Sequence, residues 1–131
     1  MAKQAGFPFQ VELDDSGGTP RDISNDVTNF NFATPRGVQD VTGVDKSAME
    51  RILLLADFSA TLNGVFNPEA NKSHDVLSDL ANVRELDLTI ASQSLDNTVL
   101  ITDYALTRNQ EGSFNWSAPA VLADGAVPTW A

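Results

Sequence analysis

His74 and Asp75 stand side by side in "NKSHDVLSDL". An imidazole beside a carboxylate is half of a proton-transfer device. The other half is missing. His74 is the only histidine, cysteine is absent, and no G-x-S-x-G elbow presents a serine nucleophile. A zinc site on one histidine would need three carboxylates, an uncommon set. "DDSGGTPRD" offers the oxygen ligands that calcium takes, yet it lacks the alternating acids and distal glutamate of an EF-hand loop. An ordinary acidic turn accounts for it. Gly17 and Gly18 are not followed by G-K-S/T, so they form no phosphate loop. The eighteen Asp and Glu residues allow many carboxylate pairs, and nothing singles one out. The sequence thus points away from an enzyme and names no catalytic residue, no metal ligand and no cofactor.

Charge excludes further classes. Eight Lys and Arg face eighteen Asp and Glu, a formal net charge of −10, and no two basic residues are adjacent. Gripping a nucleic-acid backbone or an anionic membrane needs clustered cations. Neither partner is expected. The longest apolar run, "ILLLA" at 52–56, is far shorter than a membrane span. The opening residues "MAKQAGFPFQVELDD" carry no apolar signal region. The expectation is a soluble, single domain over 1–131, made in a compartment that requires no disulfides.

The elements that would position any site are mostly strands. Alternation of period two marks a half-buried strand. "FSATLNGVF" sets Phe58, Ala60, Leu62 and Phe66 on one face against Ser59, Thr61 and Asn63. "RELDLTI" sets Leu86, Leu88 and Ile90 against Glu85 and Asp87, and "SFNWSAPAVL" sets Phe114, Trp116, Ala118 and Ala120 inward. "VTNFNF" and "TVLITDYALT" add two more, the latter apolar on both faces. Turns fall at "DDSGGTP", "NPEAN", "QEG" and "ADG". One helix is expected in "NKSHDVLSDLANV", with Ser73 as cap and Val76, Leu77, Leu80 and Val83 at helical spacing. "DKSAMERILLLA", with Asp45 as cap, is a second and shorter helical candidate. The architecture predicted is mainly β: an antiparallel sandwich or barrel of about seven strands with one flanking α-helix.

Two features lack a use inside such a domain. The connection from Ala33 to Ala56 is long and carries Val38, Val41, Val44, Met49, Ile52 and Leu53. A compact domain rarely keeps such a segment without a purpose. Val127 and Trp130 lie on a short apolar tail beyond the last turn, and such a Trp either folds back on its own domain or enters a neighbour.

The order of these features resembles the tail tube proteins of bacteriophages with long, non-contractile tails. The residues that carry the likeness are "RDISNDVTNFNFATPRGVQDVTGV", then "FSATLNGVFN", "SHDVLSDL", "DYALTR", and the run from Gly112 through "GSFNWS" and "DGAVPTW" to Trp130. The segment "VDKSAMERILLL" departs from the aromatic, arginine-rich version usual there. The resemblance implies a structural virion protein whose hexameric rings stack into a tube that conducts the genome into the host. It implies contact with itself, with other tail proteins at the tube ends, and non-adhesive passage of DNA. It implies a place in the virion tail, after assembly in the host cytoplasm. Val38, Val41, Val44, Met49, Ile52, Leu53, Val127 and Trp130 become candidates for contact between subunits or rings. Ser59, Thr61, Asn63, Glu85 and Asp87 become candidates for the lumen or another polar sheet face. A tail terminator, a contractile-tail inner tube or a secretion-system tube subunit would share the fold. A stand-alone β-sandwich binding module is the further alternative.

Overall fold

The computed structural model describes residues 9–131, so much of the opening stretch read for a signal lies outside the described residues. Ten strands and one helix follow in order. They are β1 (Phe9–Asp14), β2 (Pro20–Asp22), β3 (Val27–Ala33), β4 (Arg36–Asp40), β5 (Arg51–Ala56), β6 (Ser59–Val65), α1 (Ser73–Leu77), β7 (Arg84–Ile90), β8 (Gln93–Ile101), β9 (Ala105–Arg108) and β10 (Phe114–Leu122). Eight strands form one antiparallel sheet in the order β2-β1-β7-β8-β10-β6-β3, with β9 beside the first half of β10. The sheet bends round one core. Phe9 of β1 lies 5.5 Å from Phe30 of β3, although these strands stand near opposite ends of the sheet order. β4 and β5 pair only with each other, as a separate ribbon.

Alternation explains the core. Val11 and Leu13, Ala60 and Leu62, Leu86 and Leu88, Leu95 and Val99, and Trp116, Ala118 and Ala120 all turn inward and are buried. Small residues face one another where β6 meets β10: Ala60 opposes Ala120, and Gly64 opposes Trp116. Trp116 is 2% exposed and donates its indole N–H to the Val65 carbonyl at 2.8 Å. A Cβ on Gly64 would lie 2.1 Å from the Asp26 carbonyl oxygen and 2.7 Å from the indole, so only glycine fits. Phe114 has the inward parity but lies at the strand's end, 40% exposed against Phe66, and is not core.

The helix is shorter than its pattern suggested. It stops at Leu77, and Leu80 and Val83 lie beyond it, Val83 exposed. Asn82 adopts φ 72°, a left-handed conformation that breaks the helical run before Arg84 opens β7. Ser73 is the first helical residue rather than the cap. Its N–H is satisfied from a distance by the buried Asp26 carboxylate at 3.1 Å, which also accepts from Asn67 at 2.9 Å. Arg84 is buried at the start of β7 and donates to the Val76 carbonyl, tying α1 to the sheet.

The second helical candidate is corrected. "ILLLA" is strand β5, and Asp45 caps nothing helical. Its backbone groups pair with β4 through Val38–Leu53, Gln39–Ile52 and Asp40–Arg51. Thr42 closes the loop by accepting from the Glu50 N–H at 2.7 Å. Branched Ile and consecutive Leu residues tolerate a strand as readily as a helix when a partner strand is at hand. "TVLITDYALT" likewise splits into the end of β8 and the separate β9.

The β7–β8 hairpin turns on Ala91 and Ser92, with φ 50° and 71°. A two-residue turn of this hand normally takes Asn-Gly, and each L-residue there costs about 1–2 kcal/mol. The double substitution Ala91→Asn/Ser92→Gly should therefore raise unfolding free energy by about 1 kcal/mol. Gly64→Ala should lower it by about 3 kcal/mol or more, since a backbone carbonyl cannot rotate away. Chemical denaturation of the three proteins checks both, and a Gly64→Ala protein as stable as the parent would contradict the packing described.

Candidate functional site: an apolar ribbon and a chain-end strap

β4 and β5 form a two-stranded arm whose residues are almost all exposed. Val38 faces Leu53 on one face of the ribbon, whose register shifts between this pair and Arg36–Ala56. Ile52 and Leu54 lie on the other. Leu55 is 91% exposed, and Val41, Val44 and Met49 extend the apolar surface through the loop. An isolated two-stranded ribbon is marginal in water. Here it shows greasy side chains on both faces with no third layer over either among the described residues.

The arm also differs in charge from the body. Between residues 36 and 56, Arg36, Lys46 and Arg51 balance Asp40, Asp45 and Glu50, so the whole of the −10 belongs to the rest of the chain. A neutral, apolar projection on an acidic body is a surface that copies of that body can approach without mutual repulsion.

The chain end reaches two places. Val127 meets the base of the arm, where Arg36, Gly37 and Leu53 to Ala56 shape a groove of about 700 Å³. Trp130 then pairs with Leu95, and Ala131 exchanges two backbone hydrogen bonds with Ser94, at 2.8 and 3.1 Å. This strap covers the part of β8 that β10 leaves, since β10 pairs only with Val99 to Ile101. The Trp130 ring lies 6.0 Å from Phe32 of its own chain, while 45% of the residue stays exposed. Leu53 and Val127 therefore share one groove. Val38 and Ile52 continue along the ribbon, Val41, Val44 and Met49 lie in its loop, and Trp130 sits apart on the β8 side.

The polar candidates divide between two parts of the outer sheet face. Ser59, Thr61 and Asn63 lie on β6, and Asn63 joins Asn29, Asn115, Thr107 and Ser117 around an uncharged cleft of about 410 Å³. Glu85 and Asp87 lie on β7, separated from β6 by β8 and β10. There they join a row the sequence did not reveal: Asp22, Glu12, Asp87 and Asp96 stand directly opposite one another across β2, β1, β7 and β8. Carboxylate oxygens of Glu85, Asp87 and Asp96 lie within 4.8 Å of one another. Burial pushes the Asp87 carboxyl up, and the facing charge of Asp96 raises it further, to about 7.

The chemistry considered first falls into structural roles. The His74 ring packs against Phe66 in a tilted contact at 4.7 Å and its Nδ1 lies 3.2 Å from the Tyr104 hydroxyl, within an aromatic cluster that reaches Trp116. Asp15 accepts from the N–H groups of Gly17 and Thr19 and pairs with Arg21 at 3.2 Å. Its oxygens are occupied by its own turn. No helix among the described residues is long and apolar enough to cross a membrane.

Neither a protein-family model nor a curated protein matches the chain. Solved structures do. One, from the virion of a native gene transfer agent particle, has a TM-score of 0.78 at 16% identity, over 98% of this chain and 99% of the other. Another, from the tail of an empty gene transfer agent particle refined with helical, C6 symmetry, has a TM-score of 0.77 at 18% identity, over 98% and 99%. At these identities the likeness shows the fold: mainly antiparallel β with one short helix.

Because the arm buries so little in its own chain, Leu53→Asp/Leu55→Asp should leave the fold intact. Its unfolding free energy in dilute solution should stay within about 0.5 kcal/mol of the parent. A loss of several kcal/mol would mean that these leucines belong to the domain's own core.

Proposed function

We propose that the chain is a tail tube subunit: a structural, non-enzymatic virion protein that forms hexameric rings, and whose rings stack into a conduit for a packaged genome. The carrying observation is the two-faced apolar arm, which its own domain does not cover. The fold shared with chains of a C6-symmetric tail supports the reading. Burying one such side chain contributes about 1.5–3 kcal/mol, and each ring would repeat the contact six times. A head-to-tail contact with the correct rotation closes into a ring and removes free strand edges. The arm, with Val38, Val41, Val44, Met49, Ile52 and Leu53, is the contact between subunits or rings, and Val127 and Trp130 flank it.

The outer sheet face suits a bore. Its Asn, Ser and Thr side chains on β6 carry no charge, and its carboxylates on β7 and β8 repel phosphate, so DNA passes without adhering. Other tail proteins meet the tube at its ends. The protein belongs in the virion tail, assembled beforehand in the host cytoplasm.

Negative-stain electron microscopy of the purified protein tests this. Hollow tubes of stacked six-fold rings are expected, and salt should favour them, because screening within about 10 Å at 0.1 M weakens repulsion between acidic bodies. A single ring that does not grow would identify a terminator instead, and a monomer at every concentration and salt would refute the proposal. Deleting residues 127–131 should reduce tube formation more than it lowers the thermal midpoint of the unassembled chain. Normal tubes from that truncation would remove the strap from the contact.

A further inference from the structure

The acidic row is costly to the sheet that carries it. Like charges placed directly opposite across strands destabilise their pairing. Here three such pairs are consecutive: Asp22–Glu12, Glu12–Asp87 and Asp87–Asp96. The same outer face adds Asp14 beside Glu12 on β1 and Glu85 beside Asp87 on β7. The remaining positions around Asp87 are neutral: Gln10 on β1, Thr89 on β7, and Ser94 and Thr98 on β8. Among the described residues, none of those paired along this face is a cation.

The carboxylates are not equally served. Asp22 accepts from the Ser24 N–H at 2.9 Å and hydroxyl at 2.6 Å. Glu12 accepts from the Gln10 amide at 3.2 Å, and Asp14 from the Glu85 N–H at 3.3 Å. Asp87 sits in the middle with its Oδ1 buried and no hydrogen-bond partner. A buried carboxylate oxygen without a donor, between Glu12 on one side and Asp96 on the other, is relieved when a proton sits on the carboxyl. Protonated Asp87 carries the donor the row lacks, and Asp96 and Glu85, with carboxylate oxygens within 4.8 Å of its own, are the neighbours that a small side-chain rotation brings into accepting range.

We propose that Asp87, with Glu12, Glu85 and Asp96 facing it, is a proton-operated lock on the β1–β7–β8 part of the sheet. With the proton held, Asp87 bonds to a neighbouring carboxylate and joins β7 to β8 on the outer face. Without it, Asp87 is ionised among like charges and the hairpin is loosened. The direction follows from linkage. The folded chain binds this proton more tightly than the unfolded chain, whose aspartate has the ordinary value of 3.8. The stabilisation is therefore present at low pH and is lost as pH rises through about 7. This inference concerns the single chain and stands apart from tube formation.

The test compares denaturation midpoints of the unassembled chain at pH 5.5 and 8.5 for the parent, Asp87→Asn, Asp96→Asn and the off-row control Glu111→Gln. The parent should be more stable at pH 5.5. Asp87→Asn, whose amide donates at any pH, should exceed the parent at pH 8.5 and keep less than half of the parent's midpoint shift between the two pH values. Asp96→Asn should also reduce the shift. Glu111→Gln removes an equal charge from an exposed turn and should keep it. Carbon-13 NMR of the Asp87 carboxyl should show a titration midpoint above 6. A parent that is not stabilised at pH 5.5, an Asp87→Asn protein that retains the full shift, a control that loses as much, or an Asp87 carboxyl that titrates near 4 would each overturn the proposal.

Discussion

Ile52, Leu53, Leu54 and Leu55 stand on a ribbon that has two faces and, among the described residues, no layer over either. The proposed assembly depends on that unmet burial. A domain that can enclose Trp116 to 2% exposure has no difficulty forming a core. It nevertheless leaves its longest apolar run in solvent, on a segment whose charges cancel. Hydrophobic association is non-directional, so the arm's shape and neutrality, rather than its greasiness alone, favour copies of the same acidic body as its cover.

The body closes the arm at its base while staying complete in itself. Arg36 donates its Nε–H to the Leu54 carbonyl at 3.1 Å, and the Asp57 N–H bonds to the Pro35 carbonyl at 3.0 Å, so the ribbon is fixed where it leaves β3 and enters β6. Those two strands pair along their length, and β6 is held in turn by β10 at the point where Gly64 lets the indole close over it. The strap at the chain end serves the other side. It occupies an otherwise open stretch of β8, and leaves Trp130 half in its own domain and half in solvent.

The sequence showed faces well and registers poorly. Period two placed Leu86, Leu88, Leu62 and Trp116 inward correctly, because alternation is a local property. Asp87 was legible as outward, but its partners Glu12 and Asp96 were not, because pairing depends on where a hairpin turns. "TIASQS" has no Asn-Gly signal, so the strained Ala91–Ser92 turn that sets Asp87 against Asp96 was invisible. The arm failed for a related reason. Met49, Ile52 and Leu53 match a helix by spacing alone, and only the distant strand at Arg36–Asp40 decides otherwise. The helix was overextended at its C-terminal end, where Asn82 takes a left-handed conformation before β7, and its N-terminal cap was misplaced because Asp26, not the local Ser73, supplies it from 47 residues away. That the Ala33–Ala56 connection was too long and too apolar to be a plain loop could be read directly from its residues.

Amide hydrogen exchange across β4 and β5 puts the central claim to the most direct test. In the dilute, unassembled chain these amides should exchange far faster than those of β6 and β10. In the assembled material their protection should rise to the level of the core strands. An arm already protected in the lone chain, or still open in the assembly, would contradict the view that copies of this protein are what cover it.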